Sequence, residues 1–197
     1  MRLVLASRSE RRIALLGQMG YRFDVIPADI DEALPAGLDA HAVSRRLALR
    51  KARAAAAELP GGIVIGADTV VASGEQILGK PADQADACRI LRRLSGSRHA
   101  VITGLCLLDA ADGRQQVDSE ETIITMAHLT DEQIRRYVAS GLGAGKAGAY
   151  AYQQENDPYV TSFEGSITNI LGLPTELLAR MLASWGIEPP GSHNGGR

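Results

Sequence analysis

The stretch Gly66-Ala-Asp-Thr-Val-Val71 lies inside an apolar, β-branched run that extends from Gly62 to Ala72. Such a run, bounded by glycines, predicts a strand that is buried on both faces of a sheet. An ionisable side chain in a buried strand is costly unless something compensates its charge. Asp68 is therefore either a satisfied structural carboxylate or part of a functional site. Gly66 and Ala67 leave room before it for a ligand or another backbone.

Composition excludes several classes of protein. The 197 residues are 45% hydrophobic and 22% charged, which is typical of a soluble globular protein. A net charge of −2 with mixed signs argues against general nucleic-acid binding. No apolar run is long enough for a membrane span, and the N-terminus lacks the layout of a signal peptide. Cys88 and Cys106 match no metal or redox spacing, so we expect a reducing compartment, the cytoplasm.

Strands and helices alternate along the chain, which predicts an α/β fold. The segments 100–108 and 116–127 read as strands joined by a hairpin at Asp109–Gly113, so the sheet must be mixed. Other expected strands are 3–6, 21–27, 149–153 and 159–164, and helices are expected at 9–20, 39–59, 83–94, 130–141 and after 172–174. The tail from Pro189 to Arg197 lacks apolar residues and is expected to be disordered.

The first strand leads directly into the polar turn Ser7-Arg-Ser-Glu-Arg-Arg12. Ser7 and Glu10 fit a capping box, and Ser9 is the alternative N-cap. Arg8, Arg11 and Arg12 share one side of this turn, although cations normally disfavour a helix N-terminus. We favour a phosphate between them over a solvated charged turn, because guanidinium groups and helix N-termini both bind phosphate.

Three other features of the sequence bear on function, and the first two have two interpretations each. The acids Asp29, Asp31 and Glu32 follow a strand and could hold a divalent cation, or form an ordinary polar loop. Lys51 falls on the buried stripe of its helix, where it either reaches outward to solvent or aims its charge at an anion. Gly141–Ala147 lacks the residues of a Walker A motif and is interpreted as a flexible connector.

Several segments together resemble the Maf family of nucleoside triphosphate pyrophosphatases. The matching pieces occur in the family's order and cover nearly the whole chain to about position 182. They are Leu5–Arg12, Ile30–Glu32, Lys51-Ala52, Gly66–Thr69, Gly79–Pro81, Leu94–Gly96, Lys146–Tyr150 with Gln153, and Gly172–Pro174. The resemblance implies a single domain over residues 1–188, with two lobes around a cleft. It also implies an elongated, twisted mixed sheet flanked by helices, similar to the inosine triphosphatase (Ham1) group.

The resemblance implies hydrolysis of a nucleoside triphosphate to the monophosphate and pyrophosphate, aided by a divalent cation such as Mg or Mn. Asp68 matches the acid regarded as the catalytic base, and Glu32 matches an acidic position near the metal, which Asp68 would share. The positions that match triphosphate contacts are Ser7, Arg11, Arg12, Lys51 and Lys80. The expected partner is thus a nucleotide, with no nucleic acid or membrane, and a homodimer is left open.

Arg11, Thr69 and Gln153 look like the branch of the family that acts on dTTP and UTP, since the branch acting on 7-methyl-GTP differs at these places. The Gln153 amide offers both a donor and an acceptor to a pyrimidine edge. Glu10, Arg50 and the segment 165–170 depart from the family's usual pattern. The alternatives are a pyrophosphatase of another base specificity, such as 7-methyl-GTP, and a nucleotide-binding regulator of cell division or septum formation.

Overall fold

The structure, a computed structural model, describes residues 2–31, 33, 37–153 and 157–189. Within these residues the strands are β1 (Leu3–Leu5), β2 (Asp24–Val25), β3 (Ile63–Ser73), β4 (Gln76–Leu78), β5 (Arg98–Asp109), β6 (Gln115–Met126) and β7 (Val160–Glu164). The α-helices are α1 (Glu10–Gln18), α2 (Ala40–Ala56), α3 (Gln84–Leu94), α4 (Asp131–Ala139), α5 (Ile167–Ile170) and α6 (Thr175–Ser184).

The strands of the described residues form one mixed sheet, which confirms the predicted fold class. Its order is β2-β1-β3-β5-β6-β7, with β4 paired to β3 outside this path. β1 pairs in parallel with β2 and β3. β3, β5, β6 and β7 pair antiparallel in turn, so the predicted hairpin between β5 and β6 is confirmed.

Several predicted elements differ in extent or kind. Only Asp24 and Val25 of the expected strand 21–27 are in the sheet. Residues 149–153 form no strand, because Ala147–Ala149 makes a 3-10 turn in which Ala149 has a positive φ of 58°. The short helix α5 was not expected. Helix α1 uses Ser9 as its N-cap rather than Ser7, whereas the capping box of Thr130 and Gln133 on α4 is present.

The sheet is covered on both faces. Ile63, Ile65 and Ala67 of β3 belong to a core cluster with side chains of α1 and α6. The alternate residues of β3 face α2, which crosses the sheet very closely. A Cβ atom on Gly66 would lie 2.1 Å from the Ala48 carbonyl oxygen, and one on Gly104 would lie 2.3 Å from the Ser44 carbonyl. The room that Gly66 leaves is therefore filled by the backbone of α2.

A gap in strand pairing opens the sheet beside β3. On one edge of β3, β1 pairs with residues 63–65 and β4 pairs with residues 71–73. β5 pairs with the opposite edge over residues 63–72. In the described part of the chain, residues 66–70 therefore have no strand partner on the first edge. Because paired strands keep a regular spacing, a recess one strand wide is left there.

Two further expectations concern the whole chain. None of the described helices is long and apolar enough to cross a membrane. The predicted disordered tail lies outside the described residues except for Pro189, and so does Glu32.

Candidate active site

The recess beside β3 is part of a cavity of about 620 Å³. Its walls come from segments far apart in sequence: the end of β1 and the first turn of α1, the segment 28–31, α2, β3, β5, the loops after β4 and α4, and the end of α5. Seven of the eight predicted site residues that the structure describes line it. They are Ser7, Arg11, Arg12, Lys51, Asp68, Thr69 and Lys80.

The carboxylate of Asp68 is paired with the ammonium of Lys51. The Lys51 Nζ donates to Asp68 Oδ1 over 2.6 Å, and the two residues are 8% and 6% exposed. The close crossing of α2 over Gly66 brings the two side chains together. Asp68 therefore fits both interpretations offered by the sequence. It is a buried carboxylate with a partner, and its side chain lines the cavity. Lys51 likewise points to the cavity from the buried stripe of α2 rather than reaching to bulk solvent.

Arg12 closes one side of the gap in the sheet. Its Nε donates to the Gly172 carbonyl oxygen over 2.7 Å, its Nη1 to the Ala67 carbonyl oxygen over 2.9 Å, and its Nη2 to Thr69 Oγ1 over 2.9 Å. The Ala67 carbonyl lies on the edge that has no strand partner, so the guanidinium replaces a missing strand there. Gly172, with a φ of +100°, lets the guanidinium approach, because a Cβ would lie 3.3 Å from Nε.

The cavity is rich in positive charge. Among the described residues, six cationic side chains line it against three acids, which suits an anionic ligand. The cations are Arg8, Arg11, Arg12, Lys51, Lys80 and Lys146, and the acids are Asp29, Asp31 and Asp68. Arginine can bind phosphate oxygens with two parallel hydrogen bonds, whereas lysine acts as a point charge.

A buried pair of aromatic side chains stands behind the cavity wall. His99 Nε2 and the Tyr150 hydroxyl are 2.8 Å apart, and Tyr150 lines the cavity. Burial lowers the pKa of His99 to about 4 from an ordinary 6.5. Burial also raises the pKa of Tyr150 far above its ordinary value. Both side chains are therefore neutral near pH 7, and they add no charge to the cavity.

The donors for a divalent cation fit in kind. Asp29, Asp31 and Asp68 supply carboxylate oxygens around one cavity, and magnesium and manganese prefer oxygen ligands. In the residues that the structure describes, no three His, Cys, Asp or Glu side chains gather closely enough to hold an ion unaided. This arrangement suits a cation that takes part of its ligands from substrate phosphates, as magnesium commonly does.

The sequence model of the Maf-like protein family matches residues 2–185. This chain belongs to the Maf-like family. Among its relatives, the dTTP/UTP pyrophosphatase of Pelotomaculum thermopropionicum is 46% identical over 184 residues, which are 93% of this chain and 96% of the relative. The dTTP/UTP pyrophosphatase of Koribacter versatilis is 43% identical over 95% of this chain and 96% of its own length. The resemblance read from the motifs is thereby confirmed.

The fold of the Maf-like chain is similar to that of the Ham1 protein of Staphylococcus aureus. That likeness covers 94% of this chain and 100% of the Ham1 chain, with a TM-score of 0.51 at 16% sequence identity. It confirms the inosine triphosphatase-like fold that the resemblance implied, and at this identity it shows the fold alone.

The structure adds residues to the site that sequence reasoning missed. The segment interpreted as a flexible connector is a series of hydrogen-bonded turns, and its residues Gly145, Lys146 and Ala147 form part of the cavity wall. The amide of Gly148 donates to the Gly79 carbonyl oxygen over 3.1 Å, which holds this wall beside Lys80. The sequence feature that could have indicated this wall is the segment Lys146–Tyr150, which matches the family. The connector itself matches no nucleotide-binding motif.

Gln153 and Glu32 stay predictions. Gln153 is exposed and is not among the described residues that line the cavity, although its neighbour Tyr152 is. The backbone N–H of Gln153 donates to Asp157 Oδ2 over 2.8 Å, which fixes the backbone at this position. Glu32 lies outside the described residues, and only its sequence neighbour Asp31 is known to line the cavity.

Proposed function

We propose that this protein is an enzyme that hydrolyses dTTP and UTP to the monophosphate and pyrophosphate. The observation that carries the proposal is the Lys51–Asp68 pair at the wall of a cavity in which cationic side chains outnumber acids. The names of the relatives, at more than 40% identity over nearly the whole chain, support the same reaction and the same nucleotides.

The chemistry requires a base for water and cations for the developing charge on pyrophosphate. We assign the base to Asp68, which is held in place by the hydrogen bond from Lys51. Arg11 and Lys80 reach the cavity from separate segments, which suits binding of a triphosphate from two sides. Ser7, Arg12 and Lys51 line the same cavity and complete the proposed phosphate-binding set.

A divalent cation, Mg or Mn, belongs to the proposal. Asp68 and Glu32 are the proposed protein ligands, with Asp29 and Asp31 as neighbouring oxygen donors in the cavity. A bound cation would neutralise phosphate charge and acidify a coordinated water. The orientation of the substrate and the exclusion of water fall to the side chains of the chain itself.

Base recognition is assigned to Thr69 and Gln153. Thr69 lines the cavity, and Gln153 is next to Tyr152, which also lines it. In this proposal, Thr69, Gln153 and Arg11 together make the protein prefer dTTP and UTP to 7-methyl-GTP.

Release of pyrophosphate from dTTP and UTP, with and without Mg or Mn, tests the reaction. Asp68→Asn should lower kcat by a factor of about 100 or more, because an amide cannot accept the proton of water. The matched control is Asp112→Asn in an exposed turn, where the amide oxygen can still accept from the Arg114 amide. A wild-type protein that binds nucleotides without metal-dependent turnover would support the regulator instead.

Competition between nucleotides tests the specificity. We expect dTTP and UTP to be hydrolysed in preference to 7-methyl-GTP when all are present at equal concentration. The reverse preference, measured by separating the monophosphate products, would contradict the assigned base specificity and leave the reaction in place.

A further inference from the structure

A chain of hydrogen bonds leads from the cavity into the protein interior. Arg12 Nη2 donates to Thr69 Oγ1, and the hydroxyl oxygens of Thr69 and Thr103 are 2.9 Å apart. Thr103, which is fully buried, donates in turn to the backbone carbonyl oxygen of Asn169 over 3.1 Å. The proposed roles of the cavity residues do not yet account for Thr103.

The end of this chain determines its direction. A hydroxyl has one hydrogen to donate, and a carbonyl oxygen can only accept. Because Thr103 gives its hydrogen to the Asn169 carbonyl, it must accept the hydrogen of Thr69. Thr69 also accepts a hydrogen bond from Arg12. Its hydroxyl oxygen therefore has one lone pair left for a ligand in the cavity. In this direction both hydroxyl hydrogens have an acceptor among the described residues, as buried polar groups require.

The last residue of this series of hydrogen bonds, Asn169, is held rigidly. The side chain of Asn169 is fully buried, and its Nδ2 donates to the Val101 carbonyl oxygen and to Thr122 Oγ1, each over 2.9 Å. These bonds fasten α5 to the two neighbouring strands β5 and β6. The carbonyl that accepts from Thr103 is therefore fixed in position, and the orientation of the two hydroxyl groups follows from it.

Thr69 lies beside the apolar part of the cavity. Val71 is two residues further along β3 and so shares its face of the sheet. Val71, Val101, Tyr150 and Ile170 all line the cavity and belong to one core cluster. Apolar and aromatic walls suit a nucleotide base, while a few placed polar groups determine its orientation. The open lone pair of Thr69 is such a group.

We propose that Thr103 is a positioning residue for base selection: it makes Thr69 a hydrogen-bond acceptor towards the cavity. The inference rests on the proposed pyrimidine nucleotide pyrophosphatase function. Uracil and thymine carry an N–H at ring position N3, which an acceptor can bind. Cytosine carries a lone pair at the same position, and two facing lone pairs leave a buried acceptor without a partner, which is costly.

The experiment compares kcat/KM for UTP with that for CTP in the wild type and in variants of Thr103. Thr103→Val removes the acceptor for the Thr69 hydrogen, so Thr69 can donate to cytosine N3. We expect the UTP-to-CTP ratio to fall by a factor of about ten, the size of one hydrogen bond. Thr103→Ser keeps the hydroxyl and should restore the wild-type ratio. Thr103→Ala serves as a second variant without a hydroxyl, should the valine variant fail to fold.

Ser44→Ala is the matched control, because Ser44 is also fully buried and its hydroxyl donates to the His41 carbonyl oxygen, outside this network of hydrogen bonds. It should leave the UTP-to-CTP ratio unchanged even where it lowers stability. An unchanged ratio in both Thr103→Val and Thr103→Ala, or a wild type that hydrolyses CTP as well as UTP, would overturn the inference. A wild type without pyrophosphate release from UTP and dTTP would instead refute the proposed function itself.

Discussion

At the scale of single residues, burial sets the chemistry of the groups around the cavity. Asp68 lies in a nearly closed environment, where Lys51 donates a hydrogen bond to it over 2.6 Å. His99 has a different environment: its Nε2 meets the neutral Tyr150 hydroxyl, and its Nδ1 has no hydrogen-bond partner among the described residues. A protonated imidazole there would be a buried charge without a counter-ion, which accounts for its lowered pKa.

The lowered pKa of His99 predicts a pH-dependent stability. The unfolded chain binds the imidazole proton at about pH 6.5, whereas the folded chain binds it only at about pH 4. The folded protein therefore has its full stability above pH 6.5 and loses it as the pH falls towards 4. Between pH 7 and pH 5 this one group should lower the free energy of unfolding by about 2 kcal/mol, measured by urea denaturation.

His99→Gln should remove that part of the pH dependence, since its amide does not titrate and can still hydrogen-bond to Tyr150. His128→Gln is the matched control: His128 is exposed, and its imidazole stays in contact with water in the folded state. If His99→Gln and the wild type lose equal stability between pH 7 and pH 5, the buried histidine is not the cause.

At the scale of elements, the approach of α2 to the sheet decides whether the site forms. Lys51 and Asp68 meet because α2 lies against β3 and β5 at two glycines. Two sheets that pack face to face with ordinary side chains between them stand about 10 Å apart. Here the helix backbone contacts the strand directly, so a short reach is enough for the lysine to pair with the carboxylate.

Gly66→Ala should therefore disrupt both stability and activity. The added methyl group would lie 2.1 Å from the Ala48 carbonyl oxygen and 2.9 Å from Ala52 Cβ, so α2 must move away. We expect a loss of about 1–3 kcal/mol in the free energy of unfolding, since inserted atoms strain a well-packed core. The rate of pyrophosphate release should fall by about 100-fold where the protein stays folded, because the reacting groups are displaced.

Gly17→Ala on α1 is the control for this substitution. Nothing lies within 4 Å of a Cβ atom at Gly17. Alanine should stabilise that helix by about 0.5–1 kcal/mol, the usual difference between the two residues in a helix. Full activity in Gly66→Ala at wild-type stability would show that α2 tolerates the shift and that its close approach does not position Lys51.

At the scale of the whole molecule, the cavity is the place where distant segments of the chain meet. Arg11, Lys80 and Lys146 are far apart in sequence, yet all three line the same 620 Å³. Like charges around one cavity repel one another, and a bound polyanion relieves the repulsion. A nucleotide should consequently stabilise the entire fold rather than one element.

A non-hydrolysable dTTP analogue with a methylene group between the α- and β-phosphates measures this effect. With Mg present and the analogue at 100 times its Kd for the wild type, the free energy of unfolding of the wild type should rise by about 2.7 kcal/mol. The variants are measured at that same concentration. Arg11→Ala and Lys80→Ala should each reduce the rise, because each removes a phosphate contact. Arg89→Ala, which removes an exposed ion pair with Asp86 on α3, should leave it intact. If the analogue raised the free energy of unfolding of Arg11→Ala and of Lys80→Ala as much as that of the wild type, the result would argue against a triphosphate site.

The local chemistry of this protein was readable from the sequence alone. The apolar run around Asp68 predicted a buried strand, the turn at Asp109–Gly113 predicted a hairpin, and Thr130 with Gln133 predicted a helix start. These features depend on side-chain periodicity and on contacts within a few residues, so they need no knowledge of the fold. The ordered motifs identified the family, and most of the named site residues then met in one cavity.

Tertiary structure alone decided which groups act on one another. No local pattern could show that Lys51 pairs with Asp68, that Arg12 takes the place of a missing strand beside Ala67, or that Thr103 orients Thr69. Each of these contacts joins residues 17 to 55 positions apart. Their distances are set by the gap that β1 and β4 leave along β3 and by the close crossing of α2. Both arise from packing the whole chain around one sheet, because a charge can be compensated only by a group that packing brings within reach.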